Sequence, residues 1–136
     1  MRLSTRSAAA VAALLVCVHA RAAAPPKRTP ELLEKGRVSF KLNCASCHGE
    51  TGKGDGVSAQ ALDPKPRNFA VGRFKYGAKP PQIFATLGKG IPGTAMIAFT
   101  QLPDEERWAL AYYVSELRGR ARAAGPAKGG AAEARP

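Results

Sequence analysis

At 136 residues the chain has the length of a single domain. It carries 21 Lys+Arg against 10 Asp+Glu, a formal charge of +11. So basic a chain raises nucleic acid as a partner, but no recognisable binding motif supports that class.

Residues 1–24 read as a secretory signal peptide. Arg2 and Arg6 form a basic start, an apolar run follows from Ala8 to Val18, and small residues come after it. The run is too short for a membrane span, which needs about 20 residues. Cleavage is expected after Ala20 or among Ala22 to Ala24, with Pro25 disfavouring a cut directly after Ala24. An uncleaved anchor is the alternative; Val16 is bulky for a lipoprotein site at Cys17. Export would remove Met1, Cys17 and His19, leaving Cys44, Cys47, His48 and Met96 as the whole Cys, His and Met inventory. Beyond residue 24 there are 18 Lys+Arg against 10 Asp+Glu, or +8.

Residues 25–29 form a Pro-containing linker. Thr29 is a credible N-cap, with Pro30 in the first helical position and Glu31 near the positive helix end. A helix is expected from about Pro30 into the motif below, with Leu33, Gly36, Val38 and Phe40 as packing candidates. Gly36 in mid-helix costs stability relative to Ala, so it implies close approach of another helix.

Cys44-Ala45-Ser46-Cys47-His48 is a C-x-x-C-H sequence, the pattern of covalent haem attachment. On a helix the two thiols and the imidazole share one face. The thiols then add to two vinyl groups of one porphyrin while His48 reaches the iron. Three alternatives compete. Zinc needs four ligands, and no other Cys or His follows residue 24. A thioredoxin-like pair needs a βαβ pattern that is missing. A plain disulfide would leave His48 idle.

Gly49 is expected to stop this helix, and Gly52-Lys53-Gly54-Asp55-Gly56 to form a tight loop without the phosphate-loop pattern. Little regular structure is expected from Gly49 to Ala78. So long a loop is unusual unless a large cofactor supplies the core beneath it. Pro80 to Leu87 reads as a short helix stopped at Gly88, with Ile83, Phe84 and Leu87 inward. Gly90 to Met96 is a Gly/Pro-shaped loop. A last helix starts near Pro103, carries Asp104, Glu105 and Glu106 in its first turn and Arg118 in its last, and turns Leu110, Tyr113, Val114 and Leu117 inward. Residues 119–136 lack any large apolar side chain and read as a disordered basic tail.

With Gly36, Phe40, the Cys44–Gly49 motif, the Gly52–Gly56 loop, Gly93-Thr94-Ala95-Met96 and Trp108 to Val114 in this order, the chain resembles a class I monohaem c-type cytochrome of the short bacterial form. The resemblance covers residues 30–118. It implies an all-α fold of three to five helices around one haem c, covalent through Cys44 and Cys47. It also implies that Gly36 and Phe40 of the first helix cross Leu110 and Tyr113 of the last. A proline carbonyl should hold the His48 ring, and Pro64 and Pro66 are both candidates. Ile97 stands where relatives often have Pro after the ligand Met.

The iron needs a second axial ligand beside His48, and Met96 is the remaining soft donor; Lys89 or water is the alternative, with Met96 as mere packing. A closed iron favours electron transfer. The expected function is therefore a periplasmic carrier of single electrons, not an enzyme. The alternatives are a permanently bound haem subunit of a respiratory or oxidoreductase complex, and a haem sensor or peroxidase with an open sixth site. Lys41, Lys53, Lys75, Lys79 and Lys89 should ring the haem crevice and steer redox partners with acidic faces. The carrier is expected to be a monomer, touching membrane only through a partner complex or its basic tail.

Overall fold

The structure, a computed structural model, describes residues 24–123. It is all-α, as expected: α1 (Pro30–Asn43), α2 (Ala45–His48), one 3-10 turn (Ala59–Ala61), α3 (Pro80–Lys89) and α4 (Asp104–Ala123). The signal-peptide expectation, apart from Ala24, and the tail from residue 124 onward lie outside the described residues.

Helix α1 begins where its capping residues place it. Thr29 has extended backbone, and its hydroxyl accepts the Leu32 N–H at 3.2 Å. The helix then buries Leu32, Gly36, Ser39 and Phe40. Val38, expected inward, is 45 % exposed. At about 100° per residue it lies on nearly the opposite face from Phe40.

The crossing of α1 and α4 organises the molecule. A Cβ built on Gly36 would lie 2.6 Å from the Ala109 carbonyl carbon and 2.9 Å from Tyr113 Cβ, so α4 backbone occupies the space any side chain would need. Phe40 and Tyr113 meet with ring centroids 5.4 Å apart. At the same crossing the buried Ser39 hydroxyl donates to Glu106 at 2.6 Å, so the polar group enters the contact already paired.

Helix α4 packs against α1 and also against α3. Two partners explain why Trp108, Ala109 and Ala111 are buried along with the expected Leu110, Val114 and Leu117, while Tyr113 is half-buried. From α3 come Ile83 and Leu87, and Phe84 stacks on Trp108 at 4.3 Å. Gly88 does not stop α3. It lies within the helix, where its missing side chain makes room for the Arg107 guanidinium; the stop is Gly90, at φ 67°. Helix α4 likewise continues past Arg118 to Ala123, with Arg120 pairing Glu116 one turn back, so residues 119–123 are helical rather than tail.

The linker is tied down as well. The Tyr112 hydroxyl donates to the Pro26 carbonyl at 2.7 Å, and Arg28 pairs with Glu116.

Helix propensity alone would make Gly36→Ala stabilising by about 1 kcal/mol. Overpacking against Ala109 should instead give a net loss of about 2 kcal/mol in urea unfolding of the haem-loaded protein. A gain would mean the helices do not touch there.

Candidate functional site

Helix α1 stops at Asn43 rather than running through the motif. The Asn43 side chain donates back to the Ser39 carbonyl at 3.0 Å, competing with the helical bond at that acceptor. Cys44 then departs from helical geometry at φ −126°, ψ −31°. Its carbonyl nevertheless accepts from Cys47 N–H at 3.2 Å and His48 N–H at 2.8 Å. The five residues thus still form one turn, which carries Cys44, Cys47 and His48.

The last carbonyls of a helix need partners, and the Gly-rich loop supplies them to α2. Gly49, at φ 73°, ends the helix. Gly54, Gly56 and Ser58 then donate their N–H groups to the carbonyls of His48, Cys47 and Ser46 at 2.8, 3.2 and 2.9 Å. The loop therefore runs back along the motif, one alternate residue per carbonyl. Small residues permit this approach: a Cβ on Gly56 would meet the Ser46 carbonyl carbon at 2.5 Å.

His48 Nδ1 lies 3.2 Å from the Arg67 carbonyl. Neither proline supplies this acceptor. The Pro66 carbonyl packs against Gly54, and the next carbonyl in the chain takes the ring. A carbonyl only accepts, so Nδ1 carries the proton and Nε2 keeps its lone pair for a metal. Burial lowers the His48 pKa from its usual range, against the opposing pull of the Arg67 carbonyl. The neutral, ligating form is favoured. Phe69, absent from the sequence-based candidates, stacks on this imidazole with centroids 4.8 Å apart.

Both cysteines are free thiols. Burial, with Cys47 nearby adding to it, pushes the Cys44 thiol up to about 12. At neutral pH it is therefore a protonated thiol. Among the described residues no cluster of three or more His, Cys, Asp or Glu side chains is placed to hold a metal, so the zinc alternative has no ligand set there.

Met96 comes from a separate element and packs half-buried against the core cluster that includes Cys44 and Phe69. Its loop is closed by hydrogen bonds from Ile91 N–H to the Met96 carbonyl at 2.8 Å and from Met96 N–H to Thr94 Oγ1 at 3.1 Å. Gly90 is required beneath it, since a Cβ there would lie 2.6 Å from the Met96 oxygen.

An all-α fold built around a C-x-x-C-H turn with one available imidazole nitrogen defines a c-type cytochrome. The chain belongs to the cytochrome c family, whose model matches residues 33–118, and within it is a class I monohaem member. Cytochrome c55X of Stutzerimonas stutzeri is 32 % identical over 116 residues, covering 83 % of this chain and 87 % of that protein. The Cbb3-type cytochrome c oxidase subunit FixP of Azorhizobium caulinodans is 35 % identical over 102 residues, or 75 % of this chain. The match spans only 32 % of the subunit's length. A chain of the Kuenenia stuttgartiensis reducing HAO-like protein complex superposes with a TM-score of 0.65 at 36 % identity, covering 69 % of this chain and 47 % of that one.

The residues fit the cofactor this family carries, one haem c held covalently through Cys44 and Cys47. Two free thiols and a neutral imidazole on one turn are the donor set it needs. Replacing both cysteines by Ala should give a largely unfolded chain that releases its haem into acidified organic solvent, because a domain this small with a long irregular loop has little core of its own. A well-folded, haem-free double mutant in circular dichroism would contradict this.

Proposed function

We propose that the chain is an exported carrier of single electrons, periplasmic and monomeric, with His48 and Met96 as the two axial ligands of its haem iron. When bound, the haem supplies one-electron Fe(II)/Fe(III) chemistry; the protein supplies ligands, an apolar surround and a docking face. The observation that carries the reading is the closed Gly90–Met96 loop, which packs Met96 against the core cluster that also contains Cys44. A Met thioether opposite His raises the reduction potential and leaves no vacant position for a substrate. That favours transfer over oxygen activation.

Lys41, Lys53, Lys75, Lys79 and Lys89 are all exposed, which supports a basic docking face for acidic partners. Two propionates would reduce the charge beyond residue 24 from +8 to about +6. No helix among the described residues is long and apolar enough to cross a membrane. A second reading, a permanently bound subunit, has specific support in the similarity to the Cbb3-type oxidase subunit FixP. Co-purification separates the two: a subunit stays with its complex at high salt, whereas a carrier washes off.

Iron ligation and partner docking are tested separately. Ferrous wild-type protein should bind carbon monoxide poorly, and the oxidised form should show the weak long-wavelength band of an iron–thioether bond. Met96→Ala should open the sixth position, lower the potential and bind carbon monoxide readily. Ready uptake by wild type at neutral pH would defeat the closed-iron reading. Separately, electron-transfer rates with a physiological acceptor should fall steeply as salt rises, since the Debye length shrinks from about 30 Å at 0.01 M to about 3 Å at 1 M. A flat profile would make the five lysines ordinary solvated side chains.

A further inference from the structure

The imidazole of His48 is held twice by one irregular segment. The Arg67 carbonyl takes its Nδ1–H at the ring edge, and Phe69 stacks on its face. Nothing in residues 67–72 forms a helix or strand, so the segment needs outside anchors to keep both contacts in place. One is local: Phe69 N–H donates to the Gly52 carbonyl at 2.8 Å. A second is the core, where the buried Phe69 ring meets Phe40 edge-on at 6.3 Å, and a third comes from α4. Arg118 Nη1 donates to the Phe69 carbonyl at 3.3 Å and to the Gly72 carbonyl at 3.1 Å. Its guanidinium lies 4.9 Å from the centroid of Phe74, which itself sits 5.5 Å from Phe69.

We propose that Arg118 is a positioning residue for the His48 imidazole, acting through the segment 67–72; the proposal rests on His48 being an iron ligand. The chemistry suits arginine. A planar guanidinium can lie over an aromatic ring while donating to two carbonyls, whereas a lysine ammonium offers a point charge without the flat stacking surface. The anchor is also firm: Arg118 stands more than one turn inside α4, which runs on to Ala123. The consequence is electronic. A strong Nδ1–H···O bond makes a ligating imidazole more basic, which favours the oxidised metal and lowers the potential. Loosening the segment should weaken that bond and raise the potential. An Arg118 acting only as a nearby positive charge does the opposite, since removing it would ease oxidation and lower the potential.

The test uses haem-loaded Arg118→Lys and Arg118→Gln proteins beside wild type. In the ferrous state, NMR follows solvent exchange of the His48 Nδ1–H, with the amide of fully buried Leu110 as the reference for general loss of stability. Both variants should exchange the Nδ1–H at least tenfold faster relative to that amide, and both should have a raised midpoint potential. Exchange unchanged relative to Leu110, or a potential that falls in Arg118→Gln and stands still in Arg118→Lys, overturns the proposal. The ligand reading fails separately: His48 ring protons without a porphyrin ring-current shift in ferrous wild type would remove it, and this proposal with it.

Discussion

The contact on which the rest depends is the bare backbone crossing of α1 and α4 at Gly36 and Ala109. Its closeness lets Phe40 and Tyr113 pack against each other and buries Ser39 in contact with Glu106. Helix α1 runs on from this crossing to Asn43, and the haem motif begins at the next residue. Cys44 therefore stands about two helical turns beyond the crossing, joined to it by continuous helix. Helix α3 packs on another side of α4 and carries the Met96 loop from its C-terminal end, so the C-x-x-C-H motif and this loop are both referred to one helix.

The segment between α2 and α3 shows how a long irregular loop is stabilised without regular secondary structure. Backbone polar groups must be paired when buried. Here the donors at Gly54, Gly56 and Ser58 answer the orphan carbonyls of α2, and the guanidinium of Arg118 answers two carbonyls further on. The loop is thus specified by hydrogen bonds to helix ends and side chains. That is why it tolerates so many glycines: they let one backbone lie directly on another.

The relatives place this domain in two settings, a small cytochrome of nearly equal length and a segment of a much longer oxidase subunit. The shared part is the electron-carrying domain. Fold alone does not decide between a diffusing carrier and a docked subunit, because that difference lies on the surface rather than in the core. The exposed lysines and the pinned linker are the features of this chain on which such a difference would act.

The sequence by itself determined what local chemistry dictates. Thr29 and Pro30 mark the start of α1, Gly49 its motif's end, Cys44-x-x-Cys47-His48 the cofactor, and Gly36 the need for a partner helix, because each depends on neighbours a few residues away or on a steric requirement one residue states alone. The tertiary structure decided which partner answered each requirement. Gly88 could have stopped a helix or admitted a neighbour, and only Arg107 packing there selects the second. A proline carbonyl and the next one along are equivalent in sequence, but the Pro66 carbonyl packs against Gly54, so Arg67 holds the histidine. Arg118 looked like a residue completing a helix end. Contacts spanning 46 and 49 residues make it an anchor of the segment 67–72, and no pattern of spacing along the chain encodes a meeting at that separation.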